Sequence, residues 1–355
     1  MKVLKRHDYN EKLFENLRKK YLTGELSNEN NILKAKVDPP DETKFFNFKK
    51  DASQNERLKI VGAKVIKSGK LGVVIVNGGT ASRFGGVVKG IIEVYDGKSF
   101  LQIKLEQIKK INQKYNVQIP IYLMNSYVTG DTTLQHLKKN NYFGLKDTIK
   151  CFNQFIAKRL NVDGSFVERL SEKETYCGLG HGNFVSSFSQ KGYLSSFIKN
   201  GGEHLWYSNI DNLGAIVDEI ILGYHIDKKS EMTVELVEKY LLDKGGAPAV
   251  VNGHLEIVEQ FKFPQDFNQD LISVFNTATY IFKADSLNKK FNLPFYYVEK
   301  EIKGKKVIQF EQLAGDLSLY LETEYIITNR EERFFPIKTP QDLEKNRYKM
   351  RNRFG

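Results

Sequence analysis
Cysteine is scarce. Cys151 and Cys177 are the only two, which excludes a disulfide framework and a cysteine-based zinc site. Long apolar runs are missing too, since no stretch approaches the roughly eighteen consecutive apolar residues of a membrane-spanning helix. The opening MKVLKRHDYNEK lacks the apolar segment of a secretion signal. These absences point to a reducing, cytoplasmic compartment and to no membrane partner. No zinc-finger, basic-zipper or RNA-recognition signature occurs, and no internal repeat. The 54 basic against 43 acidic residues, a net charge of +11, therefore attract polyanions in general, nucleoside triphosphates included, without specifying a nucleic acid.

What is present describes a globular chain. Of 355 residues, 41% are hydrophobic, 27% charged and 12% aromatic, enough for one large domain or two smaller ones that fold without a staple. Residues 1–68 form a polar lead in which Leu13, Leu17 and Tyr21 recur every four positions, predicting an amphipathic helix. Pro39-Pro40 interrupts this lead with a turn, and the whole reads as an N-terminal helical appendage. At Leu71 the character changes: Leu71, Val73, Val74, Ile75 and Val76 make the run expected of a strand buried on both faces.

A glycine-rich loop follows, and then Leu101, Leu105, Ile108 and Ile111 mark a helix with lysines opposite. Ile119–Met124 is a second strand, and Asp131 is the expected N-cap of a helix around Leu134–Lys139. Strand, loop, helix, strand, helix is the order of a right-handed α/β layer. His204–Ile210 reads as a strand and Ala215–Tyr224 as a helix, while Asn252-Gly253 and Lys303-Gly304 mark two hairpins. The sheet is therefore expected to be mixed, with a parallel core. Residues 69–330 are read as the catalytic core, and 331–355 as a segment ending in the basic KNRYKMRNRFG, a solvated helix and tail.

Chemistry concentrates just after the first buried strand, in Val76-Asn77-Gly78-Gly79-Thr80-Ala81-Ser82-Arg83-Phe84-Gly85-Gly86 and then Lys89. Glycines there let backbone amides approach a phosphate, and Arg83 and Lys89 add mobile positive charge. The loop is neither a Walker loop nor a G-x-G-x-x-G fingerprint. A tight turn would also use glycines, but the place at a strand end favours phosphate. Asp211, at the end of a predicted strand, can hold Mg2+ together with phosphate oxygens or cap the helix that follows. Gln154 is either a solvated strand glutamine or a donor–acceptor pair for the polar edge of a ligand. His181, between Gly180 and Gly182, has little local packing, which favours a ligand-facing role. Lys338 is one lysine among many or a point charge on a long stem that reaches phosphates. Both cysteines read as packing residues.

The loop resembles the nucleotide-binding signature of sugar-nucleotide pyrophosphorylases, specifically the UTP–glucose-1-phosphate uridylyltransferases, with Val76 and Val88 where that family has Leu and Pro. Further blocks follow in the family's order. They are Leu123-Met124-Asn125-Ser126-Tyr127 with Asp131-Thr132, Phe152-Asn153-Gln154, Gly180-His181-Gly182-Asn183 and Ser208-Asn209-Ile210-Asp211-Asn212-Leu213-Gly214-Ala215. Lys244-Gly245-Gly246, Glu259, Phe275-Asn276-Thr277 and Arg333-Phe334-Phe335-Pro336-Ile337-Lys338-Thr339 continue the match. Asn183 replaces an acid of the family, and Ala278-Thr279 stand where two asparagines are usual.

Covering roughly Leu71 to Leu343, the resemblance implies an α/β, Rossmann-like nucleotidyltransferase fold of GT-A type with a mixed, mainly parallel central sheet. It implies synthesis of UDP-glucose and pyrophosphate from UTP and glucose 1-phosphate, assisted by Mg2+ on Asp211. The expected catalytic cations are Lys338, Lys89 and Arg83. UTP would meet Val76, Asn77, Gly78, Gly79, Lys89, Gln154, Gly180, Asp211 and Lys338. The sugar phosphate would meet His181, Asn209, Ile210, Gly246, Glu259 and Asn276. The departures leave open another sugar, such as galactose or an N-acetylhexosamine, and, in a different class, an inactive nucleotide- or RNA-binding homologue. Larger relatives append a β-helical domain that can mediate self-association, for which this chain leaves no room, so oligomeric state does not transfer.

Overall fold
The computed structural model describes residues 9–355 except 169–170, 241–242 and 244. Eight strands form the central sheet: β1 (Phe46–Asn47), β2 (Leu71–Asn77), β3 (Ile121–Asn125), β4 (Ile149–Asn153), β5 (His204–Asn209), β6 (Met232–Glu238), β7 (Val274–Lys283) and β8 (Thr323–Ile327). Their order is β1-β8-β6-β7-β5-β2-β3-β4. β7 pairs antiparallel with β6 and β5, and the remaining pairs are parallel. The chain thus has the expected α/β fold with a mixed, mainly parallel sheet.

β2 is apolar along its length because both of its faces are covered. Leu71, Val73 and Ile75 enter one core and Val74 the other, following the two-residue period of a strand. The larger helices are α1 (Glu11–Leu22), α2 (Asn55–Lys67), α3 (Phe100–Tyr115), α4 (Gly130–Lys139), α5 (Phe184–Gln190), α6 (Tyr193–Lys199), α7 (Glu219–Asp227) and α8 (Pro340–Phe354). α2, α3, α7 and α8 contribute to the core of Leu71, while α5 and α6 contribute to that of Val74. No helix among the described residues is long and apolar enough to cross a membrane.

The N-terminal lead enters this architecture at several places, including Val37–Asp38, which pair with the strand Ala247–Val251. β1 extends the sheet beyond β8, and α2 crosses α7 so closely that a Cβ on Gly62 would lie 1.9 Å from the Glu219 carbonyl oxygen. The α1 helix, by contrast, joins a third, smaller core in which Phe14 and Leu17 pack with Leu160, Leu179, Ile308 and Phe310.

Several local expectations are corrected. Asp131 lies in the first turn of α4, whose N-cap is Thr129. The helix expected from Ala215 begins at Glu219, because the Asp218 side chain accepts from the N–H groups of Ile220 and Ile221. Lys104 sits on the buried face of α3 and not with the opposing lysines. The C-terminal helix is packed as well as basic, with Leu343, Met350 and Phe354 buried. Both hairpins form as expected: Asn252-Gly253 and Lys303-Gly304 all take positive φ, joining Ala247–Val251 to His254–Val258 and Tyr296–Ile302 to Lys305–Glu311.

Candidate active site
β2 has β3 on one side and β5 on the other, so its C-terminal end is the crevice where an open α/β sheet receives ligands. The glycine-rich loop leaves from there. The Asn77 side chain turns inward, donating from Nδ2 to Asn125 Oδ1 (2.8 Å) and Thr133 Oγ1 (2.9 Å). A Cβ on Gly90 would sit 2.3 Å from Asn77 Oδ1, so a glycine is needed where the loop returns past it. Asn77 therefore shapes the loop through its Nδ2, while its Oδ1 is buried without a hydrogen-bond partner. Around Gly79, Gly85 and Gly86 the space is open, and Arg83 is exposed.

Lys89 comes back across the strand ends and places its Nζ 2.5 Å from Asp211 Oδ2, with the two side chains 16% and 33% exposed. Two residues singled out in separate motifs thus meet. Val76 and Asn209 pair as neighbours at the ends of β2 and β5. The Ile210 side chain is core at 3% exposure, and its N–H donates to Val76 O at 3.0 Å.

The Gln154 amide lies between two glycines. A Cβ on Gly78 would be 2.6 Å from its Nε2, and one on Gly178 would be 2.5 Å from its Cδ. The residue is 7% exposed, and its Oε1 is buried with no hydrogen-bond partner. Asn183 accepts from the next N–H, that of Phe155, at 2.8 Å, so the amide that replaces an acid braces the Gln154 segment. Gly180 combines φ +86° with a Cβ position only 2.4 Å from Gln312 O, and no other residue fits there. Beside it, His181 Nδ1 accepts the Ala314 N–H at 3.0 Å, which leaves the proton of the neutral ring on Nε2. Burial keeps the imidazole pKa below its ordinary value.

Among the residues expected at the sugar, Gly246 makes room for Glu259, since a Cβ there would lie 2.9 Å from Oε1. Burial, with Asp316 adding to it, pushes the Glu259 carboxyl up to about 7 against the pull of Lys262. Asn276 is engaged internally: Nδ2 donates to the Tyr280 hydroxyl and Oδ1 accepts the Ala278 N–H, both at 2.9 Å. Ala278 occupies a bulge between β6 and β7 with φ +54°. Lys244 lies outside the described residues. Sequence reasoning missed the buried group beneath this wall, where Lys262 pairs with Asp316 (2.8 Å) and Tyr296 donates to the same carboxylate (3.2 Å). Its members come from three separate segments with no motif of their own.

Lys338 is exposed, on a segment docked against the turn that carries Asp211. Asn212 Nδ2 donates to Arg333 O and Asn212 Oδ1 accepts from Phe335 N–H, both at 3.1 Å. Arg333 in turn makes a buried bidentate pair with Glu235 at 2.5 and 2.9 Å.

A mixed sheet with a glycine-rich loop at its crevice is the nucleotidyltransferase-like fold of UDP-sugar pyrophosphorylase structures. The UDP-glucose phosphorylase of Trypanosoma brucei superposes with a TM-score of 0.75 at 23% identity, over 88% of this chain and 70% of that one. The uridine diphosphate N-acetylglucosamine pyrophosphorylase of the same organism gives 0.74 at 20% identity, over 87% and 72%. Residues 11–353 match the family model for UTP–glucose-1-phosphate uridylyltransferase, and the chain belongs to that family. The barley (Hordeum vulgare) UTP–glucose-1-phosphate uridylyltransferase is 30% identical over 93% of this chain and 71% of its own length. That of Astragalus penduliflorus is 32% identical over 77% of this chain and 61% of its own. The chain spans about three-fifths of the length of several such relatives, 58% for one from Schizosaccharomyces pombe.

Proposed function
We propose that this chain is a uridylyltransferase that forms a UDP-hexose and pyrophosphate from UTP and a hexose 1-phosphate, with glucose 1-phosphate the sugar favoured by the relatives' names. One observation carries the reading. Gln154 holds a flat amide between Gly78 and Gly178 with a buried, unpaired Oε1, at the head of a loop that leads to Lys89 and Asp211. A uracil imide N–H supplies the missing donor, and the amide N–H meets an adjacent carbonyl of the base. With the base fixed, the triphosphate runs along the glycine-rich loop.

The sugar-phosphate oxygen, anionic at neutral pH, attacks the α-phosphorus. A new P–O bond forms as the bond from the α-phosphorus to the bridging oxygen breaks, and pyrophosphate leaves with the electron pair. No general base is needed. The protein's task is alignment of two polyanions and neutralisation of developing charge. Lys89 and Arg83 hold the departing pyrophosphate, and Lys338 approaches the α-phosphoryl group from the opposite segment. His181 offers its Nε2–H, and Glu259 its carboxylate, to the hexose.

The residues present also fit Mg2+. Asp211 is a partly exposed hard oxygen donor among cations, suited to an ion that takes one or two carboxylates and completes its shell with phosphate oxygens and water. Asp211 would hold the ion, which when bound would supply positive charge to offset that of the two phosphates. A second reading, a pyrophosphorylase of broader sugar specificity, is supported by Ala278, whose methyl group brings no hydrogen bond to the pocket wall.

Gln154→Ala tests the proposal. A lost hydrogen bond that discriminates one base from another is worth about 1–3 kcal/mol, so calorimetry should show UTP binding weakened about tenfold or more and preference over CTP largely removed. Unchanged UTP affinity would remove Gln154 from the base site.

A further inference from the structure
The α3 helix carries a lysine where its pattern calls for an apolar residue. Lys104 lies on the face formed by Leu101, Leu105 and Ile108 and is 3% exposed. Its ammonium donates to Ser208 Oγ at 3.2 Å and to Ala215 O at 2.9 Å, both neutral acceptors. Burial, and then the nearby Arg333, push its pKa down to about 7, with Asp211 and Glu235 opposing. A buried amine bonded only to neutral groups is costly to charge, and an apolar side chain of similar length in its place is expected to be neutral or stabilising.

The two acceptors locate its effect. Ser208 lies three residues before Asp211 and Ala215 four after it, so a single ammonium closes the base of the turn that presents the carboxylate. One turn along the same helix, Gln107 Nε2 donates to Leu213 O at 3.1 Å. From the other side, Asn212 is held by Arg333 and Phe335. Within this gripped turn, the Asp211 side chain is the one that reaches out to Lys89.

We infer that Lys104 is a positioning residue for the reaction: by tying Ser208 to Ala215 it fixes the turn that holds out Asp211. The inference rests on the uridylyltransferase reading, in which Asp211 faces the reacting phosphates. Local order of this kind matters because displacing a positioned group by even 1 Å can cost about a hundredfold in rate. Lys104 has no contact with substrate in this scheme and acts through the turn.

Lys104→Met, which keeps the length and apolar stem and removes the donors and the charge, tests the inference. Three quantities are measured beside wild type: Tm, turnover with UTP and glucose 1-phosphate, and Mn2+ affinity of the protein–UTP complex by electron paramagnetic resonance. The expected result is a Tm equal to or above wild type, a kcat lowered about tenfold or more with KM for UTP changed less than about threefold, and weaker Mn2+ binding. A kcat within about twofold of wild type together with unchanged Mn2+ affinity overturns the inference. A lowered Tm with unchanged Mn2+ affinity also overturns it, since that is the mark of a packing role alone. Should Lys104→Met not fold, Ser208→Ala removes one of the two acceptors that Lys104 ties together. It should lower kcat about threefold or more, and unchanged kcat and Mn2+ affinity overturn the inference. Absence of wild-type turnover would instead sink the uridylyltransferase reading, and the Mn2+ comparison would still decide the role of Lys104.

Discussion
Lys338 and Lys89 come from distant parts of the chain, and in the proposed reading both meet the phosphates. Lys89 is restrained by Asp211, whereas Lys338 is exposed on a segment anchored through Asn212 and the Arg333–Glu235 pair. Removing one preorganised charge from the transition state typically costs about a hundredfold in kcat. Lys338→Ala should show at least that loss in steady-state turnover, with Tm little changed because the side chain is exposed. Full turnover would exclude Lys338 from the chemistry. At this scale the sequence points to which residues gather but not to where their side chains aim. Asn77 and Asn276 both stand in motifs, yet each is turned inward by partners set elsewhere: Asn125 and Thr133 for the first, Tyr280 and a bulge for the second. Lys104 looks like any helix lysine until β5 is packed against it.

Two contacts between elements are sharp enough to test. The crossing of α2 and α7 depends on Gly62 and Gly223, where a Cβ on Gly223 would lie 1.9 Å from the Leu58 carbonyl oxygen. Gly223→Ala should destabilise the protein by about 1–3 kcal/mol or more, read as a lowered denaturant midpoint. An unchanged midpoint would mean that the helices separate without loss. β5 and α7 also share a buried histidine pair, His204 and His225, with ring centroids 5.1 Å apart and edge-to-face geometry. His204 Nδ1 and His225 Nε2 are buried without partners.

Burial pushes His204 down to about 4 and His225 well below its ordinary value. An unfolded imidazole titrates near about 6.5, so below that pH the unfolded chain binds more protons than the folded one. Stability from the neutral pair is thus complete above the unfolded value and declines as pH falls toward about 4. Tm should drop between neutral and mildly acidic pH, and His204→Phe should flatten that drop; equal slopes in the two proteins would contradict it. Among elements, β2 and both hairpins are legible because local chemistry fixes them: a two-sided apolar run, and Asn-Gly or Lys-Gly at positive φ. The start of α7 is not, since Ala215–Val217 continue its apolar pattern while the Asp218 cap and the docking of residues 333–335 delay the helix to Glu219.

Over the whole molecule, family membership and fold agree with the order of motifs read along the chain, and the N-terminal lead is joined to the body by β1, α2 and α1. Little in a linear pattern could reveal those contacts, because they pair residues near the start with β8, with α7 and with the strand Lys305–Glu311. In the proposed reading sugar choice also belongs to this scale, with Glu259 contributed by one segment and Asn276 and Ala278 by β7. A panel of glucose, galactose and N-acetylglucosamine 1-phosphates should give the highest kcat/KM with glucose 1-phosphate. A preference for either of the others would reassign the pocket to the departure at Ala278. The most direct measurement is pyrophosphate release from UTP, with and without glucose 1-phosphate, in the presence of Mg2+. Pyrophosphate and UDP-glucose should appear in equal amounts, and neither without the sugar phosphate. UTP that binds with no release under any sugar phosphate, or release that needs none, would contradict the uridylyltransferase assignment.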